Sequence, residues 1–85
     1  MQNVLARVQL AFSSAFDVEP GSITIGTVPG DIRAWDSMGH VTLASSLEQE
    51  FGVTFDVDEL MEMENVREIV RILQGKLARL EKATT

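Results

Sequence analysis

The sequence predicts an all-α fold, a small bundle of four helices in which the third is short. Apolar residues recur at intervals of three and four along most of the chain, which is typical of amphipathic helices. Both prolines and three of the six glycines fall within residues 18–35, which indicates one long loop. Because a chain of 85 residues has room for one hydrophobic core, we expect a single domain over residues 1–85.

The first helix is predicted over residues 2–16 and the loop over residues 17–35. One stripe with a period of 3.6 residues defines this helix: Val4, Leu5, Val8, Ala11, Phe12, Ala15 and Phe16. The loop offers apolar side chains that can anchor it to the core: Val18, Ile23, Ile25, Val28 and Ile32. Residues 22–25 also alternate as a short strand does, but no second strand is evident to pair with them.

The second helix is predicted over residues 37–51. Asp36 is a good N-cap, since its carboxylate can accept from the free N–H groups of the first turn. Gly52 suits the left-handed conformation that closes many helices. The apolar side is expected to comprise Met38, Val41, Ala44, Leu47 and Phe51, with Leu43 on the flank.

Two further helices are predicted, over residues 57–63 and 66–81. The first is short and follows Asp56, so we expect it to be the least rigid element. Asn65 can cap the last helix, in which Gly75 costs roughly 1 kcal/mol relative to alanine, and residues 83–85 are expected to fray. Its apolar stripe comprises Val66, Ile69, Val70, Leu73, Leu77 and Leu80.

Composition restricts the partners that the chain can have. The net charge of −6, with no lysine or arginine between Arg33 and Arg67, argues against nucleic acid and favours a basic protein partner. The longest uninterrupted runs of apolar residues have three members, which is far too short for membrane insertion. A single histidine and no cysteine argue against a metal site and fit a reducing cytoplasm. We therefore expect a cytoplasmic monomer.

The start of the second helix contains the residue types of a hydrolase triad. Asp36, Ser37 and His40 lie close in sequence, but an aspartate directly before the serine cannot easily orient the far nitrogen of the histidine. We predict no enzymatic activity. A hydroxyl in a first helical turn does suit an attached phosphodiester, because unpaired N–H groups and the helix dipole favour negative charge there. Simple capping by Asp36 and Ser37 is the alternative.

A longer stretch resembles a known family. "WDSMGHVTLASSLEQEFGVTF", followed by an acidic segment and "NVREIVRIL", is similar to acyl carrier proteins, and the similarity covers nearly the whole chain. It implies a bundle of acyl-carrier type and 4′-phosphopantetheine on Ser37, beside Asp36, transferred from coenzyme A by a phosphopantetheinyl transferase. The implied function is to carry biosynthetic intermediates as thioesters between an acyl- or aminoacyl-loading ligase and downstream acyltransferases or synthases.

The same resemblance implies which residues contact partners. On the second helix these are Met38, His40, Val41 and Glu48, and on the third helix Glu59 and Glu62. Each acidic residue also fits ordinary solvated surface. Two alternatives to an acyl carrier stay open: an aminoacyl or peptidyl carrier of a specialised pathway, and, in a different class, an unmodified acidic adaptor.

Three residues around the serine allow two interpretations each. Gly39 indicates either a close approach by a partner or the prosthetic arm, or tolerance in a fraying turn. His40 is either an exposed helix residue or a contact to the arm's phosphate or a partner. Trp35 is expected to pack where the loop meets the second helix. The alternative is an exposed side chain that contacts a partner. Gly39 and His40 stand where fatty acid carriers commonly have acids. The stretch "WDSMGH" resembles instead the stand-alone carriers of specialised pathways, including those loaded with amino acids or unusual short acyl units.

Overall fold

The architecture, taken from a computed structural model, is described for residues 3–83, with side chains for residues 3–80. This part of the chain forms four α-helices and no strand: α1 (Val4–Phe16), α2 (Ser37–Phe51), α3 (Val57–Glu62) and α4 (Val66–Ala83). The predicted all-α bundle is therefore confirmed. The predicted start of the first helix at residue 2 and the fraying of residues 84–85 lie outside the described residues, whereas helix α4 includes Ala83.

Helix α1 packs along α2 and supplies buried Val8, Ala11 and Phe12 to the core. From the same helix, the Arg7 guanidinium donates to the backbone carbonyl of Glu50 and lies 4.3 Å from the centre of the Phe51 ring. A cation here is also at the negative end of the α2 dipole. The contact joins α1 to the C-terminal end of α2.

The buried face of α2 differs from the predicted one. Leu43, predicted on the flank, is fully buried, and the face also includes Ala44, Leu47 and Phe51. Met38 and Val41, predicted on the apolar side, are 83% and 66% exposed. At 100° per residue, the four buried residues share one side of the helix and Met38 lies almost opposite. Since both sides carry apolar residues, their pattern alone did not decide which side faces the core.

The segment between α1 and α2 is held to the core at a few points. It contains two turns of 3₁₀ helix, Pro20–Ser22 and Pro29–Asp31. Ile23 is buried and its carbonyl accepts from the Gln9 side chain at 2.8 Å, but Ile25 and Val28 are exposed, so their predicted anchoring is wrong. The Thr27 carbonyl accepts from the Val66 amide at 3.1 Å, which ties the loop to the first turn of α4.

Helices α3 and α4 contribute very unequally to the core. None of the six residues of α3 is buried, although Met63 at its end is. Asn65 caps α4 by accepting from the Glu68 amide at 2.9 Å. Helix α4 buries Val66, Ile69, Val70, Ile72 and Leu73, while Leu80, predicted on its apolar stripe, is exposed. Within residues 3–83 no helix has the length and apolar character that crossing a membrane requires.

Candidate functional site

Ser37 is the first residue of α2 and is exposed. Before it, Asp36 is extended, and its Oδ1 accepts from the Gly39 amide at 2.8 Å while its carbonyl accepts from the His40 amide at 2.8 Å. Asp36 is thus the N-cap of α2, as expected. Its carboxylate is used in fixing the first turn, and this turn determines where the Ser37 hydroxyl lies.

Trp35 anchors the end of the loop directly before this turn. Its side chain is 4% exposed and packs edge-to-face against Phe12, with ring centres 5.1 Å apart. The prediction that Trp35 packs between the loop and the helix is therefore confirmed. The alternative, an exposed tryptophan that contacts a partner, is wrong. The indole N–H donates to Nδ1 of His40 at 2.9 Å, so the tryptophan also fixes a side chain of α2.

His40 is partly buried, and both of its ring nitrogens are bonded within the chain. Nδ1 accepts from Trp35, which leaves the proton on Nε2, and Nε2 donates to the Leu60 carbonyl at 2.9 Å. The expectation of an exposed histidine is therefore wrong. His40 lies three residues before Leu43 and seven before Leu47, so it occupies the buried stripe of α2. That spacing is a sequence signal for an internal role, which the comparison with acidic residues of fatty acid carriers obscured.

Gly39 lies where the loop backbone crosses the first turn of α2. A Cβ added there would meet the Ala34 carbonyl oxygen at 1.8 Å and Cε1 of Phe16 at 3.2 Å. Only a glycine permits this approach. The interpretation of Gly39 as tolerance in a fraying turn is therefore wrong, because the turn is tightly packed. The close approach that requires a glycine here is made by the backbone of the chain itself.

An open cleft of ≈ 750 Å³ separates the first turns of α2 from α3. Its wall on the α2 side includes Ser37 and Val41, and its α3 side includes exposed Val57 and Met61. Further lining residues are Pro29, Trp35, Asp36, His40, Leu60, Met63 and Glu64. The fold thus brings four predicted site residues, Asp36, Ser37, His40 and Val41, to one apolar depression, with Met38 exposed next to Ser37.

The predicted acidic contacts lie apart from this cleft. Glu48 and Glu59 line a separate groove, where Glu48 accepts from the Phe55 amide at 2.8 Å. Glu59 pairs with Nζ of Lys76 at 2.9 Å, and this hydrogen bond lowers the pKa of the Glu59 carboxyl despite its partial burial. Glu62 is exposed at the end of α3. Both Glu48 and Glu59 therefore have internal partners, and only Glu62 of the three is freely exposed.

Comparison with known proteins agrees with this geometry. Residues 35–73 match a family model described as a phosphopantetheine attachment site. The chain is 30% identical over 71 residues to an acyl carrier protein homolog of Mycoplasma genitalium, which covers 84% of this chain and 83% of that protein. It is also 29% identical over 83 residues to a non-reducing polyketide synthase of Emericella nidulans, spanning 98% of this chain but only 3% of the synthase. The chain therefore belongs to the acyl carrier protein family and contains a domain for covalent attachment of 4′-phosphopantetheine.

Proposed function

We propose that this carrier protein holds acyl intermediates as thioesters on a 4′-phosphopantetheine group attached to Ser37. The observation that carries the proposal is an exposed serine at the first position of α2, inside the matched residues 35–73 and on the wall of an apolar cleft. The group supplies a terminal thiol for the thioester, and the protein itself has no cysteine. Within the chain, this assigns Ser37 to attachment and the surrounding surface to presentation.

The residues around Ser37 fit a phosphodiester. The hydroxyl is exposed at the N-terminus of a helix of 15 residues, where the dipole favours negative charge. Asp36 supports this arrangement indirectly, since its carboxylate accepts from the Gly39 amide and so fixes the first turn. We assign Asp36 the role of orienting Ser37 through the cap.

Attachment requires chemistry that the chain does not provide. The serine oxygen forms a bond to the β-phosphorus of coenzyme A, the pyrophosphate bond breaks, and adenosine 3′,5′-bisphosphate leaves. The serine proton needs an acceptor, and His40 does not serve because its nitrogens are bonded to Trp35 and Leu60. The base therefore belongs to a phosphopantetheinyl transferase, and the same occupied histidine argues against a hydrolase.

The surface beside Ser37 favours an apolar cargo. Val41, Val57 and Met61 line the cleft next to the attachment position. An acyl chain covers apolar surface there, whereas the ammonium group of an aminoacyl cargo gains nothing from such a lining. The similarity to a polyketide synthase also supports an acyl cargo. We therefore place acyl ahead of aminoacyl cargo, with an acyl-loading ligase and downstream acyltransferases or synthases as partners.

Partners are proposed to dock on Met38 and Val41. Both side chains are exposed on the first turns of α2, directly after Ser37. A methionine adapts to several partner surfaces because its side chain is flexible and polarizable. Glu62 adds an exposed charge for a basic partner. To contact such a partner, Glu48 has to release the Phe55 amide and Glu59 has to release Lys76.

Attachment at Ser37 is tested by intact mass. The purified chain is incubated with coenzyme A and a phosphopantetheinyl transferase of broad specificity. We expect the wild-type chain and the Ser45→Ala variant to gain one phosphopantetheine group and Ser37→Ala to gain none. Ser45 is the matched control because it is an exposed serine of the same helix. An unmodified wild type would support the adaptor instead, and a modified Ser37→Ala would place attachment elsewhere.

Docking through Met38 is tested by the rate of the same transfer. Met38→Glu places a charge on the proposed contact, so kcat/KM for arm transfer should fall by about tenfold or more, the amount expected when burial of one methionine is lost. Leu10→Glu, at an exposed apolar residue of α1, is the control and should keep the wild-type rate. Equal rates for the two variants would remove Met38 from the docking surface.

A further inference from the structure

We propose that His40 is a positioning residue, which joins Trp35 to the backbone of α3 and thereby fixes the far wall of the cleft beside Ser37. The importance of that cleft rests on the proposed function. The bridge itself is a property of the unmodified chain, formed by the indole N–H of Trp35, the imidazole of His40 and the carbonyl of Leu60.

Helix α3 depends on such links because Leu60, its one apolar side chain packed against the core, is only partly buried. It has six residues, too few to be stable alone, and none of them is buried. Glu59 joins it to α4 through the ion pair with Lys76 at 2.9 Å. The hydrogen bond from His40 to the Leu60 carbonyl is its link to α2. The two links hold α3 from two different helices.

The Leu60 carbonyl has only a weak backbone partner, the Met63 amide at 3.4 Å. It lies in the last turn of α3, where carbonyls have no amide of the next turn to accept from. The Met63 amide approaches it only at 3.4 Å and is nearer to the Glu59 carbonyl, at 3.2 Å. His40 donates at 2.9 Å, so the imidazole supplies the shorter bond to a part-buried acceptor.

Trp35 determines which way the imidazole can donate. The indole N–H of Trp35 donates to Nδ1 of His40. The proton of the neutral imidazole therefore lies on Nε2, which faces the Leu60 carbonyl. The tryptophan is itself immobilised by burial and by its edge-to-face contact with Phe12. The core at α1 is therefore connected through Trp35 and His40 to α3, and α3 carries Val57 and Met61 on the opposite side of the cleft from Val41.

Two substitutions separate the two halves of the bridge. In His40→Asn the amide oxygen takes the place of Nδ1 and can accept from Trp35, but the side chain is too short to reach Leu60. In His40→Gln the amide nitrogen takes the place of Nε2 and can donate to Leu60, without an acceptor at Nδ1. Both variants remove the ring, so a difference between them reports on the bonds and not on lost packing.

The test is hydrogen exchange of the unmodified chain of 85 residues, followed by NMR. In His40→Asn we expect the amides of Leu60 in α3 and of Met63 directly after it to exchange about tenfold faster, as the loss of one hydrogen bond implies, while the Trp35 indole proton keeps its protection. In His40→Gln the Trp35 indole should exchange faster and α3 should stay near wild type. The Ile69 amide in α4 serves as the reference for overall stability.

Two results would overturn the proposal. One is wild-type exchange of α3 in His40→Asn. The other is an equal acceleration of α3 and Ile69 in both variants, which would mean that His40 acts only on overall stability. Failure here is distinguishable from failure of the proposed function, because exchange is measured without the arm and attachment to Ser37 is measured by mass.

Discussion

Two residues next to Ser37 have internal roles. Gly39 lets the Ala34 carbonyl approach the first turn of α2, and His40 accepts from Trp35 at the end of the same loop. The two features belong together, because the loop must come close before its tryptophan can be bonded to the helix. The turn that presents Ser37 is thus packed from the inside while Ser37 and Met38 remain exposed.

At the residue scale, Gly39→Ala tests this close packing. The added methyl group collides with backbone at Ala34, so we expect a loss of about 2–3 kcal/mol in the free energy of unfolding, measured by urea denaturation. Gly75→Ala is the matched control within a helix, since a Cβ there meets nothing within 4 Å. It should stabilise the protein by about 0.5–1 kcal/mol. Similar effects of the two variants would contradict the close approach at Ala34.

Helix α3 is positioned by polar side-chain contacts together with the partial burial of Leu60 against the core. Asp56 and Glu59 form a capping box in which the Asp56 amide donates to Glu59 at 3.0 Å and the Glu59 amide donates to Asp56 at 2.8 Å. The same Glu59 carboxylate reaches Lys76 on α4. One side chain therefore both caps the start of α3 and joins this helix to α4, and the second of these contacts, the ion pair with Lys76, requires an ionised carboxylate.

The pH dependence of stability should report on Glu59. The pKa of the Glu59 carboxyl is lowered chiefly by the hydrogen bond with Lys76. Its contribution to folding stability is therefore complete above the ordinary glutamate pKa of ~4.3, and it is lost as the pH falls through the lower pKa of the folded state. Glutamine keeps a capping box, so Glu59→Gln removes mainly the ion pair. We expect this variant to be about 0.5–1 kcal/mol less stable at neutral pH, with the difference narrowing below pH ~4.3.

The measurement for Glu59 is urea denaturation of both proteins at a series of pH values. Glu62→Gln is the matched control, because Glu62 is exposed at the end of the same helix. Its stability should follow the wild-type curve. Parallel curves for wild type and Glu59→Gln at every pH would show that the contact with Lys76 contributes nothing to stability.

At the scale of the whole molecule, every segment is tied to one core. Phe12 of α1 touches Trp35 at the loop end, and the Thr27 carbonyl accepts from the first turn of α4. A single cluster of buried residues includes side chains from α1, the loop, α2 and α4. Elements that share one core unfold together, so we propose that residues 1–85 act as one carrier domain.

This proposal predicts a single cooperative thermal transition, with equal calorimetric and van't Hoff enthalpies. Phe12→Ala should destabilise the whole domain by about 3–5 kcal/mol and lower Tm by more than about 12 °C, because the ring is fully buried in the shared core. Leu10→Ala, at an exposed position of the same helix, should change stability by less than about 1 kcal/mol. Two separate transitions would contradict a single domain.

Features that depend on neighbours along the chain could be predicted from the order of the residues. Apolar periodicity predicted four helices, and capping chemistry predicted Asp36 at the start of α2 and Gly52 at its end, where φ is 67°. Those interactions join residues three or four positions apart, so the local order of the residues is enough to predict them. The position of Ser37 at a helix start follows from the same local rules, and the resemblance to acyl carrier proteins is what singles it out as the candidate attachment residue.

The buried face of α2 and the contacts of Gly39 and His40 became known from the packing of the helices and the loop. Leu43 rather than Met38 faces the core, because α1 covers that side of the helix. Gly39 is required by the Ala34 carbonyl and His40 is held by Leu60, twenty residues further along the chain. Such contacts depend on how separate segments come together. The spacing of His40 with Leu43 and Leu47 indicates an internal position, but it does not specify Leu60 as the bonded partner.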